Sequence, residues 1–535
     1  MIDICYVGNS SKDTIIVNNK EYNTLGGSCI YSSFSSRAVF KGKIAIVSNV
    51  DNITKNQLEK KEIKFYGNVV DRMTAFEINE EKSTCIAQYY NDNMINLDSE
   101  INVNYLHVSF RKGVNIEKIL ENSKLKYNHL SIDVMIHSVT EFIPMIEKYA
   151  SKIEILFCNI KEYNTIKKHI NKIPLIIATN EDKPVLAIFP DCIKSYQTLY
   201  NNHIKSTTGA GDTFIGGFLA KYVINQNIDE SIEQAIYNSN KSIELIGPIL
   251  NQKLFIKKNI KPTLIPNNVI VIGNSCAGKT TFVNCFKSYY NIYSDIDDFE
   301  PLSETFMIDD LIYANKIKEF KEIKKELIYT KKIWKEYNND INNINNINNY
   351  TKPAVSGNGH DIIRPILWDE IIQMSLIKKE SNNIVQFSRG NDKIYNMAFS
   401  ENAYFRGIGI LINNLESSDN TIIINITSKL KVRKIRNKKR YENGGHYVSD
   451  NTMDNIYADD TFEYKKIGAN FGYLEISNKL VPVYTIANDK MLNSLELNKF
   501  LEYNVNNVIK YYNEFKEEGN EIKENTERYL AKQSK

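Results

Sequence analysis

The chain has 535 residues, too many for one ordinary hydrophobic core, so we expect two or more domains. Its 42% hydrophobic and 24% charged residues are typical of a soluble globular protein, and 67 basic against 64 acidic residues leave a formal net charge of +3. This balance excludes a global attraction to nucleic acid or membrane, so any basic function must be local.

The seven cysteines are odd in number, scattered and free of C-x-x-C spacing. This pattern indicates neither a disulfide framework nor a zinc site, and it favours a reducing compartment. The N-terminus lacks the basic start and long apolar core of a signal peptide, and no apolar run approaches the ~18 residues of a membrane span. We therefore expect a cytoplasmic protein without a membrane partner.

The first elements along the chain are a strand over residues 2–7, a helix that ends near Phe40 and a strand over residues 43–50. The helix opens on Leu25-Gly26-Gly27. A Gly-Gly turn before a helix either admits a ligand close to the backbone or simply forms a tight turn. From the residues alone both interpretations stay open.

Short alternating segments within residues 65–90 predict a small sheet, and apolar runs at 105–109, 130–134 and 153–158 alternate with helical spacers. This alternation predicts a parallel sheet whose ligands collect at the carboxyl ends of the strands. Asp133 ends one such strand and Asn159 ends the next, with Glu162 one helical turn further on. Asn159 and Glu162 are typical of a helix capping box, and their position at a strand end also favours a binding role.

The segment over residues 206–214 contains Gly209-Ala210-Gly211-Asp212 at the start of a helix. The two glycines allow successive backbone N–H groups to turn toward one point, where the positive end of the helix also favours an anion. Asp212 stands where a carboxylate could take the proton of an alcohol that attacks phosphorus. Close packing of a strand and a helix is the alternative, but the position of the acid favours phosphoryl transfer.

The Gly26-Gly27 turn, the Asn159 and Glu162 pair and the Gly209–Asp212 turn together resemble the PfkB (ribokinase-like) carbohydrate kinase family. The resemblance covers residues 1–255. The resemblance implies a doubly wound α/β domain with a small β lid and an ATP-dependent reaction on a sugar, polyol or nucleoside. It also implies an anion hole formed by Gly209, Ala210 and Gly211, with Asp212 as catalytic base. The remaining roles that it implies are acceptor binding for Gly26 and Gly27, nucleotide binding for Asn159 and Thr179, and part of the Mg²⁺ network for Glu162.

The chain departs from the family pattern at four places, one of which is Asp51-Asn52, where the family often has Gly-Asp-Asp. The family usually has Asp where this chain has Ser206, and often Asn where it has Tyr31. The nucleotide-binding turn after Thr179 commonly contains glycines, which are missing here. The alternative to an active kinase is therefore a nucleotide-binding regulatory protein in which one kinase domain is catalytically silent.

Residues 256–268 are rich in Lys, Pro and Asn and predict a linker before a second domain over residues 269–535. Residues 269–272 predict a strand that enters a complete Walker A motif before a helix. In such a motif the backbone N–H groups meet the β-phosphate, the Lys meets the β and γ oxygens, and the Thr hydroxyl meets Mg²⁺. The predicted ATP-binding residues are Gly273, Asn274, Ser275, Cys276, Ala277, Gly278, Lys279, Thr280 and Thr281.

Acidic residues follow the next predicted strand, at Asp295, Asp297 and Asp298. They predict either a site for a metal or a substrate hydroxyl, or a solvated acidic turn. No obvious Walker B acid follows residues 383–386, so we assign Mg²⁺ to Thr280 and Asp295. Asp297 and Arg364 are the candidate acceptor-binding residues, and the Asn-rich residues 338–350 predict a low-complexity insertion.

Arg433, Arg436 and Arg440 lie at i, i+3 and i+7, which predicts one helical face that carries three guanidinium groups. Three guanidinium groups so close together favour a bound anion between them. A basic surface without a ligand and a patch that binds nucleic acid are the alternative interpretations. Their place after a predicted strand at 421–426 and before one at 481–486 is similar to that of the arginine-bearing LID in small P-loop nucleoside and nucleotide kinases. The resemblance implies a parallel P-loop sheet in which these arginines act in catalysis beside Lys279.

The sequence therefore predicts a bifunctional ATP- and Mg²⁺-dependent kinase. Its PfkB-like domain would phosphorylate a hydroxyl of a sugar, polyol or nucleoside, and its P-loop domain would phosphorylate a nucleoside or nucleotide. Small molecules are the expected partners, and a homodimer is compatible with the sequence. Action of the P-loop domain on nucleic acid is a further alternative.

Overall fold

The computed structural model describes residues 1–95, 97, 99–135, 139–249, 262–297, 382–388, 418–443, 450–455, 457–458, 462–476 and 479–533. The chain divides into two units, Met1–Thr263 and Leu264–Lys535, and the division falls within the predicted linker at 256–268. The predicted insertion at 338–350, the acid Asp298 and the candidate acceptor residue Arg364 lie outside the described residues.

The first unit combines two β-sheets with helices that connect their strands. Its strands are β1 (Ile2–Val7), β2 (Ser11–Val17), β3 (Lys20–Gly26), β4 (Ile44–Val50), β5 (Ile63–Val69), β6 (Ala75–Asn79), β7 (Thr84–Tyr89), β8 (Ile101–Ser109), β9 (Leu125–Asp133), β10 (Ile153–Asn159), β11 (Leu175–Asn180), β12 (Lys183–Ile188) and β13 (Ile193–Tyr196). Its helices are α1 (Ser28–Val39), α2 (Asn52–Lys60), α3 (Ile116–Leu120), α4 (Val139–Tyr149), α5 (Ile160–Ile166), α6 (Ala210–Asn225) and α7 (Ile228–Ser242).

The large sheet of this unit contains the strands in the order β13-β12-β11-β10-β9-β8-β1-β4-β5. Neighbouring strands from β11 to β5 pair in parallel, whereas β12 pairs antiparallel with both β11 and β13. This mixed sheet confirms the predicted α/β class. Ser109 is in register with Asp133, and Asn159 is in register with Thr179. The carboxyl ends of β8 to β11 therefore meet along one edge of the sheet.

The small sheet has the order β3-β2-β6-β7 and differs in extent from the prediction. Strands β6 and β7 lie within the predicted residues 65–90, but β5, which includes Phe65, belongs to the large sheet. Strands β2 and β3 join the small sheet as a hairpin, because Asn18 and Asn19 at its turn adopt left-handed φ angles of 51° and 57°. Two successive positive φ angles match the twist of such a hairpin, and asparagine tolerates them.

Helices α1 and α6 make an unusually close contact through serine hydroxyls and glycines. Ser32, Ser35 and Ser36 of α1 donate hydrogen bonds to the backbone carbonyl oxygens of Asp212, Thr213 and Gly216 in α6, at 2.9, 2.6 and 2.7 Å. A Cβ atom on Gly216 would lie 2.1 Å from the backbone oxygen of Ser32. This contact, which we call the α1–α6 seam, fixes the first turns of α6 against the core.

The second unit contains a sheet in the order β16-β17-β15-β18-β21-β20-β19. The neighbouring strands β16, β17, β15, β18 and β21 pair in parallel. Strand β20 pairs antiparallel with β21, and β19 pairs antiparallel with β20. The strands of this sheet are β15 (Asn268–Gly273), β16 (Ser294–Asp297), β17 (Asn383–Ser388), β18 (Thr421–Thr427), β19 (Lys465–Lys466), β20 (Phe471–Ile476) and β21 (Lys479–Ala487). Strand β14 (Thr263–Ile265) lies before them in the chain, at the boundary between the two units. The described helices are α8 (Lys279–Tyr289), α9 (Leu430–Glu442), α10 (Asp450–Asn455) and α11 (Ser494–Gln533).

The described residues include no helix with the length and apolar content that crossing a bilayer requires.

The predicted strands at 269–272, 421–426 and 481–486 coincide with β15, β18 and β21. The assignment of this second sheet to the P-loop proteins stays a prediction.

Replacing Gly216 by alanine tests the seam. The added methyl group would meet the backbone of Ser32, which cannot move without breaking the serine contacts, so Gly216→Ala should lower the free energy of unfolding by about 1–3 kcal/mol. Chemical denaturation of the full chain measures this change. Gly211→Ala is the matched control in the same helix, because no atom lies within 4 Å of its added Cβ. Equal stabilities of the two variants would contradict the prediction.

Candidate active site

The predicted anion hole lies at the N-terminus of α6. Gly209 precedes the helix with a φ of 75°, a left-handed conformation that favours glycine. An added Cβ on Gly211 would meet nothing within 4 Å, so the space in front of the first turn is open. The ring of Tyr31 packs against Gly209, where an added Cβ would lie 2.4 Å from ring carbons. The open cradle at residues 209–211 fits a phosphate group.

Asp212 lies in the first turn of α6 beside this cradle. Burial raises the pKa of Asp212 to about 6, although the Arg111 guanidinium acts in the opposite direction. The Nη2 atom of Arg111 lies 3.7 Å from Oδ1 of Asp212. A carboxylate with a pKa near 6 is mostly ionised at neutral pH and can accept a proton, which is what general-base catalysis requires.

Behind Arg111 a buried polar chain leads into the sheet. Arg111 donates through Nη2 to Oδ2 of Asp133, and Nε2 of His107 lies 3.2 Å from Oδ1 of the same carboxylate. The other ring nitrogen of His107 lies 3.0 Å from the hydroxyl of Ser131. Burial would raise the pKa of Asp133, but Arg111 and His107 lower it below its ordinary value. Asp133 therefore anchors Arg111 as a buried ion pair.

A second buried carboxylate lies beside the predicted acceptor turn. An added Cβ on Gly26 would lie 1.7 Å from Oδ2 of Asp13, so the glycine is required for this carboxylate to fit. Burial raises the pKa of Asp13 to about 6, and its Oδ1 atom has no hydrogen-bond partner. The hydroxyl of Tyr31 is also buried without a partner. Gly27, the N-cap residue of α1, has a φ of 89°.

The Asn159–Glu162 element forms the capping box that the sequence predicts. Asn159 Oδ1 accepts from the backbone N–H groups of Lys161 and Glu162, and Glu162 Oε2 accepts from the Asn159 N–H at 2.7 Å. Thr179 lies at the neighbouring strand end, in register with Asn159. In the glycine-free turn that follows, Glu181 adopts a left-handed φ of 53°. The backbone thus keeps a tight hairpin there without glycine.

Glu80, in the turn after β6, binds the loop that leads into the cradle. Its carboxylate accepts from the hydroxyls of Ser206, Thr207 and Thr208, and also from the N–H groups of Thr207 at 3.2 Å and Thr208 at 3.1 Å. Burial alone would raise the pKa of Glu80, but these hydrogen bonds lower it below its ordinary value. A carboxylate from the turn after β6 thus binds Ser206, the residue at which the sequence departs from the family pattern.

In the second unit, the predicted Walker A residues form the loop between β15 and α8. Gly278 precedes α8 with a φ of 109°, and Cys276 has a φ of 63°. Lys279 Nζ donates to the carbonyl oxygen of Gly273 at 3.0 Å, so it lies across the loop. The remaining predicted nucleotide residues here, Asn274, Ser275, Ala277, Thr280 and Thr281, belong to the same loop and first helical turn.

The predicted metal residues of this unit are joined by a glutamine. The hydroxyl of Thr280 donates to Gln386 Oε1 at 3.3 Å, and Gln386 Nε2 donates to Asp295 Oδ1 at 3.0 Å. Gln386 lies on β17, close to where we expected a Walker B acid. Asp297 ends β16, and the structure does not describe its side chain.

The three arginines of α9 do not share one open face. Arg433 is 1% exposed and donates to the carbonyl oxygens of Ser428 and Ala458. Arg436 donates to Asn488 and to the carbonyl oxygens of Lys490 and Ala277, which ties it to the loop before α8. Arg440 donates to Asn437 on its own helix. Protein oxygens therefore accept hydrogen bonds from all three of these arginines.

Comparison with known proteins identifies part of the chain. Residues 74–253 match the family model described as pfkB family carbohydrate kinase. The chain therefore carries a pfkB carbohydrate kinase domain. This confirms the first part of the predicted resemblance, and the matched range includes Glu80, Arg111 and Asp212. The match ends at residue 253, so the P-loop resemblance of the second half stays a prediction. No curated protein sequence matches the chain.

Solved structures similar to the chain include a probable sugar kinase from Rhizobium etli, with 14% identity, 46% of this chain and 94% of that chain covered, and a TM-score of 0.39. A nucleoside kinase from Methanocaldococcus jannaschii has 16% identity, with 47% of this chain and 95% of that one covered, and a TM-score of 0.39. A ribokinase from Thermotoga maritima has 16% identity, with 47% and 97% covered and a TM-score of 0.38.

Four residues of the two sites escaped the sequence reasoning: Asp13, Glu80 and Arg111 of the pfkB side, and Gln386 of the second unit. Arg111 follows the end of a parallel strand, and the strand-end rule that singled out Asp133 could have found it. Asp13 and Glu80 leave no comparable signal, because their partners lie in distant segments.

Neutralising Glu80 tests its hold on the cradle loop. Glu80→Gln places an amide nitrogen where an oxygen now accepts from Thr207, and it removes the charge from the other hydrogen bonds. Charge-assisted bonds of this kind contribute about 1.5–3 kcal/mol, so the backbone amides of Thr207 and Thr208 should exchange hydrogen at least ~10-fold faster. Glu81→Gln is the matched control, since Glu81 is bonded instead to the Asn18 N–H. Unchanged exchange in Glu80→Gln would show that the loop is held by other contacts.

Proposed function

We propose that the pfkB domain is an ATP-dependent kinase that phosphorylates a hydroxyl group of a sugar or nucleoside, with Asp212 as general base. The observation that carries the proposal is the position of Asp212, a partly buried carboxylate beside an open anion cradle at a helix N-terminus. The family match to residues 74–253 supports the reaction class.

The chemistry follows from this placement. The acceptor hydroxyl gives its proton to the Asp212 carboxylate while its oxygen forms a bond to the γ-phosphorus. The bond between that phosphorus and the β–γ bridging oxygen breaks, and ADP leaves with the electron pair. The backbone N–H groups at residues 209–211 and the positive end of α6 would stabilise the negative charge on the transferring group.

The residues of the domain fit the expected ATP and Mg²⁺. The cradle is open where a phosphate would lie, and Asn159, Glu162 and Thr179 share the carboxyl edge of the sheet with Asp133. Glu162 is 5% exposed and closes the capping box, so its carboxylate suits a water-mediated contact with Mg²⁺. When bound, the metal supplies charge neutralisation for the phosphates.

The buried carboxylate of Asp13 favours an acceptor that donates hydrogen bonds. Its Oδ1 atom is without a partner, and Gly26 allows close approach to the backbone beside it. Two vicinal hydroxyls, as on a sugar ring or a ribose, would satisfy such a carboxylate. A phosphate ester at this position would be repelled, so we propose a neutral polyhydroxyl acceptor.

Substitution of the base tests this function. Asp212→Asn removes the proton acceptor without changing its size, so ADP release that depends on an acceptor should fall by ~10²-fold or more. A panel of sugars, polyols and nucleosides with the full chain and Mg·ATP provides the assay. Asp419→Asn, at a side chain of the second unit that is 80% exposed, is the control and should keep full activity. Equal turnover in both variants would remove Asp212 from the role of base.

A second candidate function belongs to the second unit, which we propose to be a P-loop kinase for a nucleoside or nucleotide. What supports it is the glycine loop before α8, with Lys279 across it, together with the contact of Thr280 and Asp295 through Gln386. These groups fit a triphosphate and Mg²⁺. Arg436 contacts this loop, and Arg433 is buried, so Arg436 is the arginine of the predicted three that we keep near the phosphates.

The two sites can be separated by one substitution in each. Lys279→Ala should reduce phosphorylation of a nucleoside or nucleotide at the second site by ~10²-fold or more, because it removes a cation from the transferring phosphate. It should leave the reaction that depends on Asp212 unchanged. Lys510→Ala, at a side chain that is 72% exposed on α11, serves as the control. If Lys279→Ala and Asp212→Asn abolished the same single activity, the proposal of two independent sites would fail.

A further inference from the structure

Arg111 lies between the buried carboxylate of Asp133 and the partly buried carboxylate of Asp212, a position that the family pattern did not predict. Arg111 lies two residues after the end of β8, and Asp133 ends β9, with Ser109 and Asp133 in register. One nitrogen of its guanidinium, Nη2, contacts Asp133 and lies 3.7 Å from Oδ1 of Asp212. The strand ends of the sheet and the N-terminus of α6 therefore meet at this one side chain.

The two contacts of Arg111 differ in strength. The contact to Asp133 is a direct hydrogen bond, and His107 and Ser131 extend it into the sheet. The contact to Asp212 is longer than a hydrogen bond, so Asp212 interacts with Arg111 mainly through charge. Asp133 thus anchors Arg111 through a direct hydrogen bond, and the same nitrogen, Nη2, lies close to the carboxylate of Asp212.

The charges around the base make this arrangement necessary. The side chains of Arg111, Asp133 and Asp212 are only 15%, 5% and 21% exposed, so water screens them weakly. Asp133 repels the ionised form of Asp212, and Tyr31 and Cys29 of α1 face Asp212 as neutral groups. Arg111 is the group that compensates both carboxylates. Together, Arg111, Asp133 and Asp212 carry one net negative charge, whereas the two carboxylates alone would carry two. A phosphate donor, which is itself negatively charged, is therefore repelled less.

We propose that Arg111 is a positioning residue of the pfkB domain, which keeps the carboxylate of Asp212 ionised and in place beside the anion cradle. The inference rests on the proposed function of Asp212 as base. It adds that the chain supplies a fixed cation of its own at this point, held by the Asp133–His107–Ser131 chain. Loss of Arg111 should therefore change the ionisation of the base, which a merely structural residue would not do.

The test compares the pH dependence of kcat/KM for the wild type and Arg111→Gln. Activity of the wild type should rise with pH through about 6, where Asp212 loses its proton. Removal of the cation favours the protonated carboxyl, so the acidic limb should move to higher pH by about one unit or more. Arg111→Lys, which keeps the charge, should stay close to the wild-type limb. An unmoved limb in Arg111→Gln overturns the proposal.

Two further variants guard against misfolding and unspecific effects. Arg111→Gln leaves Asp133 buried without its cation, and the double variant Arg111→Gln/Asp133→Asn removes both charges together. Because Arg111 acts on Asp212 more strongly than Asp133 does, the limb of the double variant should still move upward, and a downward shift overturns the proposal. Arg37→Gln, whose guanidinium contacts the carbonyl oxygens of Phe40 and Glu62, should leave the limb unchanged.

A direct titration separates this inference from the proposed function. In the full chain with ¹³C-labelled aspartate, the carboxyl signal of Asp212, assigned by its loss in Asp212→Asn, reports the pKa without any substrate. We expect a pKa near 6 in the wild type and a value higher by about one unit or more in Arg111→Gln. If this shift appears but no acceptor is phosphorylated, the kinase proposal fails and the charge role of Arg111 stands. If turnover is present and the shift is absent, Arg111 is not the positioning residue.

Discussion

The α1–α6 seam is the contact on which the first site depends. Helix α6 carries both the cradle and the base in its first turn, so its position relative to the sheet decides whether they face the acceptor side. Serine hydroxyls of α1 hold the backbone of α6 directly, and the absence of a side chain on Gly216 lets the two helices approach. Since Gly27 is the N-cap of α1, the same helix follows the turn that we propose for acceptor binding. The seam therefore fixes the distance between the Gly26-Gly27 turn and the proposed anion cradle.

Buried charge is the second constraint on this site. Asp13 and Asp212 both lie in surroundings that favour the neutral carboxyl, and each has a pKa raised to about 6 by burial. Asp133 differs, because Arg111 and His107 keep its pKa low. The three carboxylates thus have different environments, and only the one that is paired directly with Arg111 is firmly ionised. Buried carboxylates cost stability, and raised pKa values such as those of Asp13 and Asp212 are typical of functional sites.

Sequence reasoning predicted the parts of the fold whose signals are local. The strand at Ile2–Val7, the capping box at Asn159 and the glycine turn at Gly209 follow from periodicity and from residue types within a few positions. Contacts between distant segments left no such signal: Glu80 and Ser206 are 126 positions apart. The arginine spacing in α9 correctly placed these residues on a helix, but a spacing cannot tell which side of that helix is buried, and Arg433 lies inside.

The carboxylate of Glu80 joins the turn after β6 of the small sheet to the loop that leads into the proposed anion cradle. If that sheet moved away from the rest of the domain, the loop over residues 206–208 would lose all five hydrogen bonds described above. A nucleotide that arrived in this open form would meet an incompletely held cradle. In the kinase that we propose, hydrolysis of ATP by water would then be slow, and efficient transfer would be confined to the form in which Glu80 holds this loop.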